Sequence, residues 1–136
     1  LFDQDQSAAL YGLADRLAGE FREVVLLTPR PHFAEAVNYC SAIGVFRRLY
    51  AAGVQLTPAA TPAAWRDGAL QWRNVYTGAL SVIDGVDLVL YATPRSPDLA
   101  LEAGLAAFPV IRVGDCQSPR PLMGAIHAGQ AAGLAI

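Results

Sequence analysis

Apolar residues recur every three to four positions in two stretches of the chain, which is the spacing of an amphipathic helix. A helix is predicted over residues 7–19, with Ser7 as its N-cap and a core-facing stripe formed by Leu10, Leu13, Ala14 and Leu17. A second helix is predicted over residues 41–52, with a core face formed by Ile43, Phe46, Leu49 and Tyr50. A third, short helix is predicted over residues 99–106.

Short apolar runs separate these helices and predict buried strands. The runs lie at residues 1–2, 23–28, 54–56, 86–92 and 109–113, and the irregular segment 29–40 is predicted to be a loop. Because helices alternate with the strands, we expect parallel pairing through right-handed crossovers. The first run has only two apolar residues, against the ~5–6 residues of a typical strand. We therefore expect this sequence to belong to a longer polypeptide.

The apolar period changes to two between residues 61 and 83. Asp67-Gly68 lies between two alternating segments, and Asp-Gly is a strong hairpin signal. This stretch predicts a three-stranded antiparallel meander. The predicted fold class is therefore α/β, a Rossmann-like parallel sheet with an inserted three-stranded meander. This order of elements resembles the NAD(P)-binding domain of the glutathione-reductase type.

Composition narrows the possible partners and sites. The chain has 136 residues, a net charge of −2 and no cluster of basic residues, which argues against a nucleic-acid partner. No apolar run approaches the ~20 residues of a membrane helix, so a cytoplasmic location without membrane contact is expected. Cys40 and Cys116 are far apart and predict no metal site, and the low cysteine count fits a reducing compartment.

The most informative segment closes the chain, from Ile111 onward. An apolar strand runs into Gly114-Asp115, then a loop with Pro119 and Pro121 leads to a helix of small residues. Glycine permits a close backbone approach to a ligand, and a helix N-terminus favours anionic oxygens. This order resembles the closing motif of flavoprotein oxidoreductases with two dinucleotide-binding domains, while an ordinary strand–loop–helix is the plainer alternative.

Two further segments make the resemblance more specific. Residues 24–30 and 46–54 lie around the second predicted helix, and residues 87–97 read Asp-Leu-Val-Leu-Tyr-Ala-Thr-Pro-Arg-Ser-Pro, at the family's strand-x-Thr-Gly-Arg-x-Pro position. In this order the segments resemble the NADH:flavin oxidoreductase family of the trimethylamine dehydrogenase and 2,4-dienoyl-CoA reductase type.

The resemblance implies a place within a long flavoprotein. Residues 1–108 would be a pyridine-nucleotide-binding-like domain with a truncated first strand, and residues 109–136 the closing strand and helix of the FAD-type domain. FAD or ADP is the implied cofactor of the full-length protein, with FMN and a 4Fe–4S cluster in an N-terminal barrel. The implied partners are that barrel and either an electron-transfer flavoprotein or a nicotinamide nucleotide. A homo-oligomer is a further expectation, because strand 109–113 could swap between chains.

The resemblance also implies the site residues. No catalytic residue and no metal ligand are expected in this sequence, and the cofactor-binding positions are Gly114, Asp115, Ala125, Ile126 and Arg30. Arg30 follows the second strand, where it would either meet a 2′-phosphate or pair with Asp3 or Asp5. Arg95 would either contact a nucleotide or anchor its loop. His32 and His127 lack the partners of a catalytic triad.

The first predicted turn departs from the family's reductases. A dinucleotide site needs glycines there so that backbone amides reach the pyrophosphate, but residues 2–8 read Phe-Asp-Gln-Asp-Gln-Ser-Ala. Two carboxylates would face the phosphates, so we do not expect NAD(P)H to bind in the usual way. An interaction module that has lost nucleotide binding therefore remains an alternative, and a free-standing small reductase is a weaker one.

Overall fold

A computed structural model describes residues 1–105, 107–120 and 122–135. These residues form two compact units, Leu1–Pro94 and Arg95–Ile136, and each unit is described by itself. The domain boundary at residues 108/109 stays a prediction. Ala106 in the third predicted helix, Pro121 in the predicted helix entrance and the final Ile136 lie outside the described residues.

The first unit contains a four-stranded parallel sheet in the order β3-β2-β1-β7. Its strands are β1 (Phe2–Asp3), β2 (Val25–Leu27), β3 (Gln55–Thr57) and β7 (Tyr91–Ala92). Helix α1 (Ala8–Leu17) connects β1 to β2, and α2 (Tyr39–Ala51) connects β2 to β3. The predicted parallel β-α-β-α-β order is confirmed, and β1 lies inside the sheet between β2 and β7.

The core between the two helices differs partly from the prediction. Helix α1 buries Leu10, Tyr11 and Ala14, and α2 buries Ala42, Val45 and Leu49. Ile43 and Tyr50 were expected inside but are 55% and 68% exposed. Leu49 belongs to two apolar stripes on α2. The stripe with the smaller side chains, formed by Ala42, Val45 and Leu49, faces the core. The small residues Ala14 and Ala42 both belong to this core cluster, as expected where two helices pack closely.

Of the two helices in the first unit, only α2 has a side-chain cap. The Asn38 side chain accepts a hydrogen bond from the Cys40 backbone N–H at 3.0 Å, and α2 accordingly begins two residues before the predicted start. Ser7 occupies the N-cap position of α1 as predicted, but its side chain makes no capping hydrogen bond.

The meander is confirmed as a three-stranded antiparallel sheet of β4 (Ala60–Arg66), β5 (Ala69–Asn74) and β6 (Leu80–Ile83). Asp67 and Gly68 have φ angles of 50° and 74°, which are the two left-handed positions of a type I′ hairpin. Leu70 packs with Phe2, Leu27 and Ala60 into a second core cluster.

The predicted strand over residues 86–92 is shorter than expected. Only Tyr91 and Ala92 pair with β1, while residues 84–90 border a mainly apolar recess of about 110 Å³ next to Phe2 and Leu27. Val86 N–H donates to the Gly68 carbonyl at 2.6 Å, so this segment is tied to the hairpin turn of the meander instead of to a strand.

The second unit contains α3 (Ala100–Ala103), a 3-10 turn (Gly114–Cys116) and α4 (Leu122–Leu134). The predicted strand over residues 109–113 is wrong for the described part of this unit. Val113 is extended, with φ −136° and ψ 155°, but residues 109–113 make no strand pairing. A strand requires a hydrogen-bonded neighbour, and an apolar pattern alone does not supply one.

Candidate functional site

The carboxyl edge of the parallel sheet is the place where open α/β folds bind ligands. Strands β1, β2 and β7 end there at Asp3, Leu27 and Ala92. An open recess at this edge is lined by Gln4, Pro29, Arg30 and Pro94. Because strand order reverses at β1, this edge is also the topological switch point of the sheet.

Asp3, the last residue of β1, is fully buried at this edge. Its Oδ1 accepts the Gln6 backbone N–H at 2.7 Å, and its Oδ2 accepts the Gln6 Nε2 at 3.0 Å and the Tyr11 hydroxyl at 2.6 Å. Three donors therefore surround a carboxylate that has no contact with water. A buried carboxylate needs such donors, since burying an unpaired charge is very costly.

Gln6 and Thr28 join the turn to the end of β2. The Gln6 Nε2 donates to Thr28 Oγ1 at 2.8 Å, and the Thr28 hydroxyl donates to the Asp3 carbonyl at 2.9 Å. Gln6 is 3% exposed and Thr28 is fully buried. Gln6 also has a backbone φ of 57°, a left-handed conformation that residues other than glycine rarely adopt.

Tyr11 extends the cluster into the loop that follows β2. Its hydroxyl donates to Asp3 and accepts the Ala34 backbone N–H at 2.6 Å, while the Glu35 N–H donates to Gln6 Oε1 at 3.3 Å. We refer to Asp3, Gln6, Tyr11 and Thr28 as the Asp3 cluster. Within the described residues, no buried side-chain nitrogen or oxygen lacks a hydrogen-bond partner.

Burial governs the protonation of the cluster. It raises the pKa of Asp3 above its usual value, and the hydrogen bonds from Tyr11 and Gln6 oppose this rise. Burial also raises the pKa of Tyr11 well above its usual range, and the hydrogen bond to Asp3 adds to this effect. Tyr11 therefore keeps its proton and remains a donor to Asp3.

The first turn is thus filled by its own side chains. Of the two carboxylates expected to face a phosphate, Asp3 instead points into the buried cluster and is satisfied there. Arg30 pairs with Glu35 at 3.2 Å, so the expected pairing with Asp3 or Asp5 is wrong. Asp3 is enclosed by turn and helix donors, whereas Arg30 is exposed beside a carboxylate of its own loop.

Sequence reasoning did not identify Gln6, Tyr11 or Thr28 as members of a cluster. A signal was present at Tyr11, which follows Leu10 and falls on the buried side of α1. A tyrosine hydroxyl in a core normally finds a partner. The sequence of the turn lacks glycine, but its pattern does not show that Gln6 bends back over Asp3.

In the second unit, the predicted cofactor positions Gly114, Asp115 and Ala125 lie together. Gly114 has a φ of 63°, and a Cβ placed on it would lie 3.6 Å from the Ala125 side chain. The turn Gly114–Cys116 therefore packs against the first part of α4, with Asp115 in the middle of the turn. Ile126 follows Ala125 and is 58% exposed. These placements agree with a binding role for the four residues but do not test it.

Ion pairs surround this turn. Asp115 lies 3.5 Å from Arg95, and Arg112 donates to both carboxylate oxygens of Glu102 at 2.6 and 2.7 Å. The hydrogen bond from Arg112 lowers the pKa of Glu102. Arg95 thus contacts a predicted site residue from its own unit, while Arg30 belongs to the other unit.

The remaining candidate residues are exposed. His32 and His127 lie on the surface, and Cys40 and Cys116 are free thiols. Among the described residues, no group of three or more His, Cys, Asp and Glu side chains could hold a metal ion. No helix in the described part of the chain is long and apolar enough to cross a membrane.

Comparison with known proteins finds similar solved structures. No protein-family model and no curated protein matches the chain. The amine oxidase for 6-hydroxypseudooxynicotine from Pseudomonas geniculata N1 is 21% identical, with a TM-score of 0.85 over 97% of this chain and 21% of that one. Histamine dehydrogenase from Rhizobium sp. 4-9 is 26% identical, with a TM-score of 0.79 over 96% of this chain and 22% of that one.

A third similar structure is a 2-naphthoyl-CoA reductase in complex with 2-naphthoyl-CoA. It is 24% identical, with a TM-score of 0.75 over 93% of this chain and 19% of that one. All three proteins are oxidoreductases by name, and this chain spans about a fifth of the length of each. The chain therefore has the α/β fold of a segment that recurs in several larger oxidoreductases.

Proposed function

We propose that this chain is a nucleotide-binding-like part of a longer flavin-dependent oxidoreductase, of the amine-dehydrogenase or enoate-reductase type. The observation that supports this most strongly is the structural match of 93–97% of the chain to about a fifth of each of three oxidoreductases. The sequence resemblance to the trimethylamine dehydrogenase and 2,4-dienoyl-CoA reductase family supports the same assignment. In such a protein, FMN and a 4Fe–4S cluster would belong to an N-terminal barrel.

The carboxyl edge of the first unit does not fit a nicotinamide nucleotide held in the usual way. A pyrophosphate needs free backbone amides and room at the first turn. Here the Gln6 backbone N–H is donated to Asp3, and the turn is packed against Thr28 and Ala34 through the Asp3 cluster. Electrons would therefore leave the full-length enzyme to a separate electron-transfer protein, and this unit would be structural.

Gly114, Asp115, Ala125 and Ile126 are the proposed contacts to FAD or ADP. The left-handed Gly114 brings its backbone against α4, and Asp115 is exposed at this turn, so its carboxylate can accept hydrogen bonds from sugar hydroxyls. These residues would form a site only together with the rest of an FAD-type domain. The bound flavin would supply the electron transfer, and this chain would orient the adenine-nucleotide end.

A non-catalytic structural or interaction module is the second candidate function. The filled first turn favours it, and so does the exposure of Leu122, Met123, Ile126 and Leu134 on α4. Such a module would retain the fold and bind no nucleotide at any site.

Analysis of the purified full-length protein separates the two candidates. The proposed function predicts a yellow protein that contains FMN, with FAD as a second flavin or ADP in its place, together with iron and acid-labile sulfide. A colourless full-length protein, without flavin after expression with supplied iron and riboflavin, would exclude the oxidoreductase assignment and leave the structural module.

A further inference from the structure

The loop between β2 and α2, residues 29–38, is attached at its centre to the turn between β1 and α1. The Ala34 N–H donates to the Tyr11 hydroxyl at 2.6 Å, and the Glu35 N–H donates to Gln6 Oε1 at 3.3 Å. Ala34 is only 5% exposed, although several loop residues on either side of it are exposed. The middle of the loop is therefore a part of the core.

One residue on each side of this attachment has an unfavourable backbone conformation. Gln6 has a φ of 57° and Ala34 a φ of 61°, and neither is a glycine. Residues with a side chain persist in this region only where the surrounding structure holds them there. The closed position of the loop is thus maintained against backbone strain, and the hydrogen bonds of the Asp3 cluster are the interactions that oppose the strain.

We propose that residues 29–38 form a strap across the carboxyl edge of the sheet, with the Tyr11 hydroxyl as the latch that keeps it closed. Opening of the strap would expose Gln6 and Asp3 to solvent at the edge where α/β proteins bind ligands. The inference does not depend on the proposed function, because it concerns the motion of the loop and not the identity of a cofactor.

The chemistry of the hydroxyl explains why Tyr11 is the latch. Its single proton is donated to Asp3 at 2.6 Å, and its oxygen accepts the Ala34 N–H at the same distance. Removing the hydroxyl therefore takes one partner from a buried carboxylate and one from a buried amide. The Arg30–Glu35 ion pair joins two residues of the loop itself, so it cannot fasten the loop to the turn.

Amide hydrogen exchange of the purified chain, followed by mass spectrometry, tests the latch. In Tyr11→Phe the ring remains in the core, and we expect exchange at Ala34 and Glu35 about tenfold faster than in the parent, since a buried amide loses its acceptor. Exchange in the meander, residues 60–83, should not change. Tyr50→Phe is the matched control, because Tyr50 is 68% exposed on α2. Unchanged loop exchange in Tyr11→Phe, or an equal increase in the loop and the meander, would overturn the proposal.

Two further variants test the latch without altering Tyr11. Ala34→Gly keeps the N–H and removes the left-handed strain, so the loop should exchange no faster than in the parent. Arg30→Ala breaks only the ion pair within the loop and should also leave it closed. Loop opening in either variant would show that the Ala34 methyl or the Arg30–Glu35 pair holds the strap, and would contradict the assignment to Tyr11.

Discussion

Asp3 in the first turn has a different environment from the one that the sequence predicts. An acidic residue in the first turn of a nucleotide-binding-like fold predicts repulsion of phosphates, yet here the carboxylate is buried and accepts three hydrogen bonds. The carboxylate therefore binds donors of its own turn and of α1. Its neighbours Gln6 and Tyr11 fill the turn with their own side chains.

Asp3→Asn tests the energetic weight of this carboxylate. An asparagine can still accept the Gln6 backbone N–H, but its amide NH2 would face the Gln6 Nε2, so two donors would oppose each other. We expect the free energy of unfolding to fall by about 1–3 kcal/mol, the usual cost of an unsatisfied buried polar group. Urea unfolding measures this loss. A variant as stable as the parent would show that the carboxylate of Asp3 contributes nothing to stability.

The pH dependence of stability follows from the same residue. Because the pKa of Asp3 is raised above its usual value of 3.8, the folded state binds more protons than the unfolded state between these two pKa values. The contribution of Asp3 to stability is therefore fully present below pH 3.8 and is lost as the pH rises through the folded pKa. The difference in unfolding free energy between the parent and Asp3→Asn should shrink over this window. A difference that grows with pH would mean that the folded pKa is lowered.

At the scale of elements, the prediction of helices and strands succeeded where a pattern is local. The Asp-Gly turn and its alternating flanks identified the meander, because the turn chemistry lies within those residues. The face of α2 and the pairing of residues 109–113 could not be predicted in the same way. Leu49 belongs to two apolar stripes at once, and a run of apolar residues does not show whether a neighbouring strand is present.

The contrast between the two helix caps gives a prediction for α2. Asn38→Ala removes the hydrogen bond to the Cys40 N–H and should lower the unfolding free energy by about 0.5–2 kcal/mol. Ser7→Ala is the matched control, because the Ser7 side chain makes no cap bond on α1 and its loss should have little effect. Thermal unfolding of both variants checks the pair, and equal losses would contradict the difference between the caps.

Two glycines should respond to alanine with opposite signs. Gly68 has a φ of 74° in the hairpin turn, so Gly68→Ala should destabilise the protein by about 1 kcal/mol. Gly12 lies within α1, and a Cβ there meets nothing within 4 Å, so Gly12→Ala should stabilise it by about 0.5–1 kcal/mol. Chemical denaturation gives both values, and a stabilising Gly68→Ala would exclude the type I′ turn.

At the scale of the whole molecule, the chain has a Rossmann-like α/β fold, and the first turn of its parallel sheet is filled by the Asp3 cluster. The fold class could be predicted from the sequence because the spacing of apolar residues indicates the order of helices, strands and meander. The first turn also lacks glycines in the sequence, and the expectation that NAD(P)H does not bind there in the usual way stays a prediction. The Asp3 cluster could not be predicted, since Thr28 meets Gln6, and Ala34 meets Tyr11, only after β1 and β2 have paired.

Calorimetric titration of the full-length protein with ADP, NADH and NADPH tests the central claim most directly. We expect ADP to bind while neither reduced nicotinamide binds or bleaches the flavin absorbance, because the first turn is occupied by the Asp3 cluster. Asp115→Ala should weaken the binding of ADP, and Tyr50→Phe should not change it. Binding of NADH or NADPH, with bleaching of the flavin, would contradict the account and show that the first turn opens to accept a nucleotide.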